Sequence, residues 1–195
     1  GYKTMDNTFI ESVWWALSEL AKKDLLYEGV RVLPYCPRCE TPIANSEIAM
    51  DNSYKDITDI SVYVKFELID EPGTYLLAWT TTPWSLPGDT AIAINEKLTY
   101  QKVKVGEDVL IIARDRVATV LKDKEYEVVG EFLGEELIGK AYKPPFDYYK
   151  DIDMPNKQNI WRVWHADFVT ADTGTGIAHE APAFGEDDYN LAMQN

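Results

Sequence analysis

The chain has 195 residues, 46% of them apolar, and carries a formal net charge of −14. This length and apolar fraction suit one substantial domain with its own core, and no apolar run is long enough to predict a membrane-spanning helix. The acidic charge argues against a broad nucleic-acid-binding surface, which needs clustered Lys and Arg, but leaves room for a pocket that holds one nucleotide end. The first residues lack a basic segment followed by an apolar one, so no secretory signal is predicted.

The first predicted element is an amphipathic helix over residues 8–28, where apolar side chains recur at helical spacing. Thr8 and Glu11 fit a capping box at its start, and the helix is predicted to end at Gly29. A short strand is predicted next, at Val30–Leu33.

Cys36 and Cys39 form a Cys-x-x-Cys sequence, which is half of a structural zinc site. Such a site takes four ligands, and the chain has no other cysteine and no histidine nearby. We therefore expect no metal and no other cofactor in this chain, and two cysteines also fit a reducing cytoplasm. Residues 1–50 are predicted to be a connecting segment with the helix and the Cys pair, and residues 51–195 a core domain.

The core domain is predicted to consist mainly of short strands. Residues 60–68 alternate apolar and polar side chains, which indicates a half-buried strand. Further strands are predicted at Tyr75–Thr82, Ala91–Ile94, Tyr100–Val105, Val109–Ala113, Tyr126–Phe132 and Trp161–Val169. Helices are predicted at Asp115–Leu121 and from Gly185 onward, and a loop at Lys143–Asn159. Many short strands with few helices predict an α+β fold dominated by a β-barrel-like core with peripheral helices.

The first peptide with binding chemistry is Trp79-Thr80-Thr81-Thr82-Pro83-Trp84-Ser85-Leu86-Pro87. It ends an apolar strand, and its first proline cannot continue the ladder of hydrogen bonds. Because side chains alternate along a strand, we expect at most two of the three threonines to face one pocket. A run of threonines also suits a strand for structural reasons alone.

The second such peptide runs from Gly174 to Asp188 and contains His179. Three acids, of which Asp187 and Asp188 are the last two, fall in the first turn of the predicted C-terminal helix, where they would complement the helix dipole. A lone histidine is more often structural than catalytic, and we interpret His165, which has no comparable context, as structural.

Together the two peptides resemble the editing domain of isoleucyl-tRNA synthetases, a connective-peptide insertion within a larger enzyme. Thr82-Pro83-Trp84 differs from the valyl and leucyl relatives, which have Arg-Pro after two threonines, and favours the isoleucyl branch. Gly88-Asp89-Thr90-Ala91 reads more like the valyl branch. The resemblance implies a cytoplasmic insertion whose partners are the aminoacylated 3′ end of isoleucine tRNA and the rest of the parent synthetase.

The resemblance also implies an activity, the hydrolysis of valine mis-esterified to isoleucine tRNA. Asp188 would bind the free ammonium of the amino acid, with Asp187 as the alternative, and His179 would contact the ribose and the amino-acid side chain or orient water. The residues assigned to catalysis are Asp188, His179 and Thr82. The residues assigned to substrate binding are Trp79, Thr80, Thr81, Thr82, Ser85, His179 and Asp188.

Other readings stay open at this point. A valyl- or leucyl-type editing domain, or a non-catalytic module that binds the tRNA 3′ end, would carry similar peptides. In relatives a second Cys pair outside the editing core can complete a zinc site with the equivalents of Cys36 and Cys39, so zinc in a full-length parent is compatible with this sequence. The chain has neither a Gly-x-x-x-x-Gly-Lys phosphate loop nor a Gly-x-Ser-x-Gly sequence, so we expect neither ATP use nor a covalent acyl-enzyme.

Overall fold

The computed structural model describes all residues from 1 to 195, and they divide into two compact units, residues 1–31 and 32–195. The predicted boundary between residues 50 and 51 falls inside the second unit. No helix in the structure is both long enough and apolar enough to cross a bilayer.

The first unit contains one helix, α1 (Asn7–Ala21), which begins after Asp6 without a side-chain cap. The predicted capping box is wrong, because Thr8 already lies inside the helix.

The predicted end of this helix is also wrong. Asp24 adopts a left-handed φ of 54°, and the Leu25 N–H donates to the Leu20 carbonyl at 3.1 Å. A left-handed residue with such a bond satisfies the last carbonyls and stops the helix well before Gly29. Residues 30–33 form no strand.

The second unit begins with a hairpin of two short strands, β1 (Tyr35–Cys36) and β2 (Thr41–Pro42), followed by α2 (Asn45–Ile48). The Cys39 N–H donates to Cys36 Sγ at 3.4 Å, which lowers the pKa of the Cys36 thiol. Both thiols are free, and no group of three or more His, Cys, Asp or Glu side chains is placed to hold a metal. The hairpin thus carries two free thiols, whereas structural zinc takes four ligands.

The remaining elements follow in chain order. The strands are β3 (Val62–Glu67), β4 (Thr74–Thr80), β5 (Ala91–Ile94), β6 (Thr99–Val105), β7 (Asp108–Ala113), β8 (Glu127–Leu133), β9 (Arg162–His165) and β10 (Ile177–Glu180). The helices are α3 (Val117–Val120) and α4 (Glu186–Gln194).

These strands form two larger sheets. One has five strands in the order β3-β4-β7-β6-β8, and the other has three in the order β10-β5-β9. Pairing is antiparallel except between β4 and β7 and between β5 and β9. The fold is therefore mixed, with sheets and few helices, but the sheets are not closed into a barrel, and the barrel-like description is not confirmed.

One apolar core holds the two sheets together. Its fully buried members include Phe66 from β3, Leu76 from β4, Ile92 from β5 and Ile111 from β7. Burial of this surface supplies the main driving force for folding. The predicted alternation over residues 60–68 is confirmed where the strand meets this core.

Several predicted bounds differ from the structure in ways that have a local cause. Trp161 has a φ of 56°, so the strand predicted from this residue begins at Arg162 instead, and it ends at His165. The predicted helix at Asp115–Leu121 is a short 3₁₀ turn followed by α3. The loop predicted at Lys143–Asn159 is irregular apart from a final 3₁₀ turn.

Strand β10 was not predicted from the sequence, yet it positions half of the site. It begins after Gly176, whose φ is 74°, and a side chain there would collide with Ala113. β10 contacts β4, so the residues that follow β4 and those that follow β10 meet at the same place.

Candidate functional site

A pocket of about 330 Å³ lies where the ends of β4 and β10 and the start of α4 come together. Its lining contains all seven residues that the sequence singled out for substrate binding. The lining residues are Trp79, Thr80, Thr81, Thr82, Trp84, Ser85, Ala178, His179, Phe184, Gly185 and Asp188. The catalytic and binding roles assigned to them stay predictions.

The three threonines all line this pocket, whereas strand alternation predicted at most two. Strand β4 ends at Thr80, so alternation no longer governs the two residues that follow. The Thr80 hydroxyl accepts a hydrogen bond from the Thr82 N–H at 3.0 Å, and the two hydroxyls lie 3.2 Å apart. This local turn brings Thr82 back to the pocket, where it is exposed.

Ser85 joins the threonine peptide to β10. Its hydroxyl donates to the Thr82 carbonyl at 2.7 Å and lies 3.1 Å from His179 Nε2. A hydroxyl has one proton, so once Ser85 donates to Thr82 it can only accept from the ring. Donor and acceptor rules therefore place a proton on His179 Nε2.

The other ring nitrogen of His179 faces a buried carboxylate. His179 Nδ1 lies 3.6 Å from Asp89 Oδ1, and the Tyr142 hydroxyl donates to Asp89 Oδ2 at 2.7 Å. Burial raises the pKa of Asp89, and the contacts with His179 and Tyr142 oppose that rise. Because both ring nitrogens face protein groups and the side chain is only 6% exposed, His179 forms part of the pocket wall.

Asp188 is held at the first turn of α4 with its carboxylate against the pocket. Its Oδ2 accepts a hydrogen bond from the Ala181 N–H at 2.8 Å. Gly185 allows this arrangement, because a Cβ on that residue would lie 2.5 Å from Asp188 Oδ1. A carboxylate has about four acceptor sites, so one backbone bond leaves capacity for a ligand. Asp187 is exposed and does not line the pocket.

Glu180 lies behind the pocket and was missed by sequence reasoning. It is only 1% exposed, and its Oε2 has no hydrogen-bond partner. Burial raises the pKa of Glu180 to about 9, and the negative charges of Asp188 and Asp89 add to the effect. The one sequence signal for it is its position directly after His179 in the second peptide.

Asp89, which lies beside His179, and Tyr142, which donates to Asp89, were also missed. Asp89 follows a Pro-Gly pair and precedes an apolar strand, a position that reads as a simple turn. Tyr142 carries no sequence signal, because it reaches Asp89 from a segment 53 residues away. His165, by contrast, accepts a backbone hydrogen bond from Glu96 at 3.2 Å and does not line the pocket.

Two aromatic rings form the rim of the pocket. Trp84 and Phe184 pack edge to face with their centroids 5.7 Å apart, and Trp84 is 65% exposed. Gly88 lies under Phe184, since a Cβ there would come within 2.7 Å of the ring. The exposed Trp84 ring thus offers an apolar face at the mouth of the pocket, suited to stacking on a planar ring.

Comparison with known proteins gives a consistent picture. Residues 1–183 match the family described as tRNA synthetases class I (I, L, M and V). The isoleucine–tRNA ligase of Clostridium novyi is 49% identical over 200 aligned residues, which cover 100% of this chain and 18% of that protein. The probable cytoplasmic isoleucine–tRNA ligase of Dictyostelium discoideum is 44% identical over 198 aligned residues, again covering 100% of this chain and 18% of the relative.

The fold has a solved counterpart in the crystal structure of GlLeuRS-CP1. The TM-score is 0.58 at 20% sequence identity, and the match covers 69% of this chain and 59% of that one. The likeness concerns the fold alone, and the chain spans only 18% of the length of the two ligases. The predicted resemblance to isoleucyl-tRNA synthetases is confirmed by the identity of these relatives. By its match over residues 1–183, the chain belongs to the family of class I tRNA synthetases (I, L, M and V).

Proposed function

We propose that this chain is the editing domain of an isoleucine–tRNA ligase and hydrolyses valine mis-esterified to isoleucine tRNA. The observation that carries the proposal is the Asp188 carboxylate, fixed by the Ala181 N–H at 2.8 Å and directed to a pocket lined by three threonines. An aminoacyl ester carries a free ammonium, and a fixed carboxylate is the group that recognises it by a charge-assisted hydrogen bond.

The size and lining of the pocket support a small amino acid ester as the substrate. About 330 Å³ is at the lower end of the range of roughly 300–1,000 Å³ typical of ligand pockets. Threonine hydroxyls can bind a ribose or a water molecule, while threonine methyl groups limit the space for a side chain. A single methylene is discriminated weakly by one apolar pocket, so a second pocket that admits valine and excludes isoleucine improves fidelity.

The arrangement supports hydrolysis without a protein nucleophile. The proton of the Ser85 hydroxyl is committed to the Thr82 carbonyl, and Ser85 is only 4% exposed. Asp188 would fix the ammonium and thereby the ester carbonyl, and the threonines would place the attacking water. Positioning of this kind can supply much of the acceleration for an ester that is already activated.

The proposed partners are the aminoacylated 3′ end of isoleucine tRNA and the rest of the parent ligase, in the cytoplasm. The charge of −14 supports contact with one nucleotide end rather than with the whole tRNA, because few basic groups are present to displace counterions. The exposed Trp84 offers the terminal adenine a stacking surface.

The deciding experiment is a deacylation panel with the purified chain. Valyl, isoleucyl, threonyl and norvalyl esters of isoleucine tRNA are compared, and we expect the valyl ester to be hydrolysed fastest and the isoleucyl ester to be spared. Preference for the threonyl or norvalyl ester would instead favour a valyl- or leucyl-type domain. Binding of the esters without hydrolysis would favour a non-catalytic module for the tRNA 3′ end.

A further inference from the structure

Glu180 raises a question that the proposed function leaves unanswered. Glu180 is 1% exposed on β10, and its Oε2 has no hydrogen-bond partner. An isolated buried carboxylate is very costly, and such groups are paired or lose their charge. Glu180 must therefore find a partner or hold a proton.

The partner within reach is another carboxylate. Asp188 Oδ2 accepts a hydrogen bond from the N–H of Ala181, the residue next to Glu180, so the two carboxyl groups lie close together. After burial, the negative charge of Asp188 is the largest contribution to the raised pKa of Glu180. Two ionised carboxylates have only acceptors and cannot bond to each other, so Oε2 of an ionised Glu180 has no partner. A single proton on Glu180 turns the same pair into donor and acceptor.

We infer that Glu180 is a positioning residue that stays a neutral acid in the folded protein and donates a hydrogen bond to the Asp188 carboxylate. The proton stays on Glu180 rather than on Asp188 because Glu180 is the more buried of the two. Asp188 keeps its charge at the pocket surface and gains a second fixed donor besides the Ala181 N–H.

The electrostatic surroundings agree with this assignment. Burial is the main reason why the pKa of Glu180 is raised to about 9, followed by the charges of Asp188 and Asp89 and, more weakly, Asp187. Tyr142, which donates to Asp89, has its own pKa raised by burial and then by Asp89 and Glu180. His179 precedes Glu180 on β10 but faces Asp89 and Ser85 with its two nitrogens.

The role of Glu180 follows from what Asp188 does. A neutral Glu180 holds the Asp188 carboxylate in place and does not compete with it for a bound ammonium. An ionised Glu180 would instead add a second negative charge that the ligand cannot reach. What Asp188 binds rests on the proposed function, but the proton on Glu180 does not.

The first test is the pH dependence of unfolding for the wild type and Glu180→Gln, with Glu125→Gln at an exposed site as the matched control. The pKa of Glu180 is about 9 in the folded protein and about 4.3 in the unfolded chain, so between these pH values the folded protein keeps a proton that the unfolded chain has lost. The wild type therefore becomes less stable as pH rises through this range. The amide introduced by Glu180→Gln has no proton to lose in this range. The ratio of folded to unfolded protein should therefore rise for Glu180→Gln, relative to the wild type, by roughly tenfold per pH unit from pH 5 to pH 8. The same ratio for Glu125→Gln should follow that of the wild type.

The second test reads the proton itself. Infrared spectra at pH 7 should contain the carbonyl band of a protonated carboxylic acid in the wild type and in Glu125→Gln, and this band should be missing in Glu180→Gln. Parallel pH curves together with no such band would overturn the inference. Neither readout needs a substrate.

The third test links the proton to binding. A non-hydrolysable valyl-adenosine analogue should bind Glu180→Gln about tenfold more tightly than Glu180→Ala, because Gln keeps a donor towards Asp188 and Ala does not. Equal affinity of the two variants would overturn the positioning role even if Glu180 is protonated. If the wild type does not bind the analogue, the proposed function fails, and the infrared and unfolding results still decide the state of Glu180.

Discussion

Ser85 Oγ lies 3.1 Å from His179 Nε2, across a separation of 94 residues in the sequence. Asp89 lies at the other ring nitrogen, so Ser85, His179 and Asp89 follow one another in space like the Ser, His and Asp of a serine hydrolase triad. The hydrogen bonds run differently, however, because the Ser85 proton goes to the Thr82 carbonyl at 2.7 Å. The contact therefore fastens β10 to the threonine peptide rather than activating a nucleophile.

Replacing Ser85 with alanine should lower the free energy of unfolding by about 1–3 kcal/mol, because His179 Nε2 loses its buried acceptor. Deacylation should fall by roughly tenfold, through misplacement of Thr82, and not by the factor of about 10⁶ that follows loss of a nucleophile. Single-turnover rates and chemical denaturation measure both effects, with the exposed Ser61→Ala as the control. A valyl adduct on Ser85, seen by mass spectrometry, would contradict this role.

Asp188→Asn should nearly abolish hydrolysis of valyl-tRNA while the fold persists. The amide oxygen can still accept the Ala181 N–H, so the substitution removes the charge and spares the backbone contact. Loss of one partner of a charge pair costs about 2–5 kcal/mol, and the rate constant should fall in proportion. Asp187→Asn, in the same helical turn but outside the pocket, is the control and should keep most of the activity. The reverse ranking would assign the ammonium to Asp187.

Thr82→Arg should close the pocket to valine. Thr82 is exposed at the pocket and follows the last residue of β4, so a long side chain there has room to enter the site without disturbing the core. Calorimetry with a valyl-adenosine analogue should detect no binding to this variant and normal binding to Thr58→Arg, an exposed control. Retained affinity would mean that the side chain at position 82 points elsewhere.

Tyr142→Phe should destabilise the fold by about 1–3 kcal/mol, because the buried Asp89 Oδ2 loses its donor. The Tyr142 hydroxyl lowers the pKa of Asp89, so its removal lets burial raise that pKa further. A raised pKa of Asp89 in the folded protein lowers the free energy of unfolding as pH rises. The loss of stability caused by Tyr142→Phe should therefore be larger at pH 8 than at pH 5. Denaturation at the two pH values tests this, with Tyr54→Phe, which is 76% exposed, as the control. A deficit that shrinks with pH would argue against an ionised Asp89 at neutral pH.

The isolated chain should bind whole tRNA weakly and small valyl-adenosine analogues with little dependence on salt. It has 33 acidic against 19 basic residues, so its mean field repels phosphate and few contacts can release counterions. Titrations at several salt concentrations measure both affinities. Tight binding of tRNA with a steep salt dependence would reveal a basic surface that the overall charge hides.

The site was largely predictable from sequence because its parts are contiguous. The threonine peptide ends an apolar strand, and the acids of the second peptide begin a helix, and both features depend on neighbours in the chain. All seven predicted binding residues line one pocket. The prediction that at most two threonines face this pocket was wrong, because the alternation of a strand stops at Thr80.

Periodicity alone determined the strands that pack on the core, and Ala91–Ile94 has the same bounds in the structure as in the prediction. It missed β10, because a short strand with a histidine and a glutamate has no apolar alternation. The arrangement of strands into separate sheets rather than a barrel depends on pairings between distant segments, which local pattern does not encode.

From its sequence alone this chain is an acidic α+β domain with two peptides that resemble an editing site. Tertiary structure decided the rest, by bringing Asp89 against His179, Tyr142 against Asp89, and Asp188 against the N–H of Ala181 beside Glu180. Whether a carboxyl group carries a charge depends on its burial and on the groups that surround it, and both arise only when distant segments pack together. For Glu180 that packing changes an ordinary glutamate of a strand into the neutral acid that we infer behind Asp188.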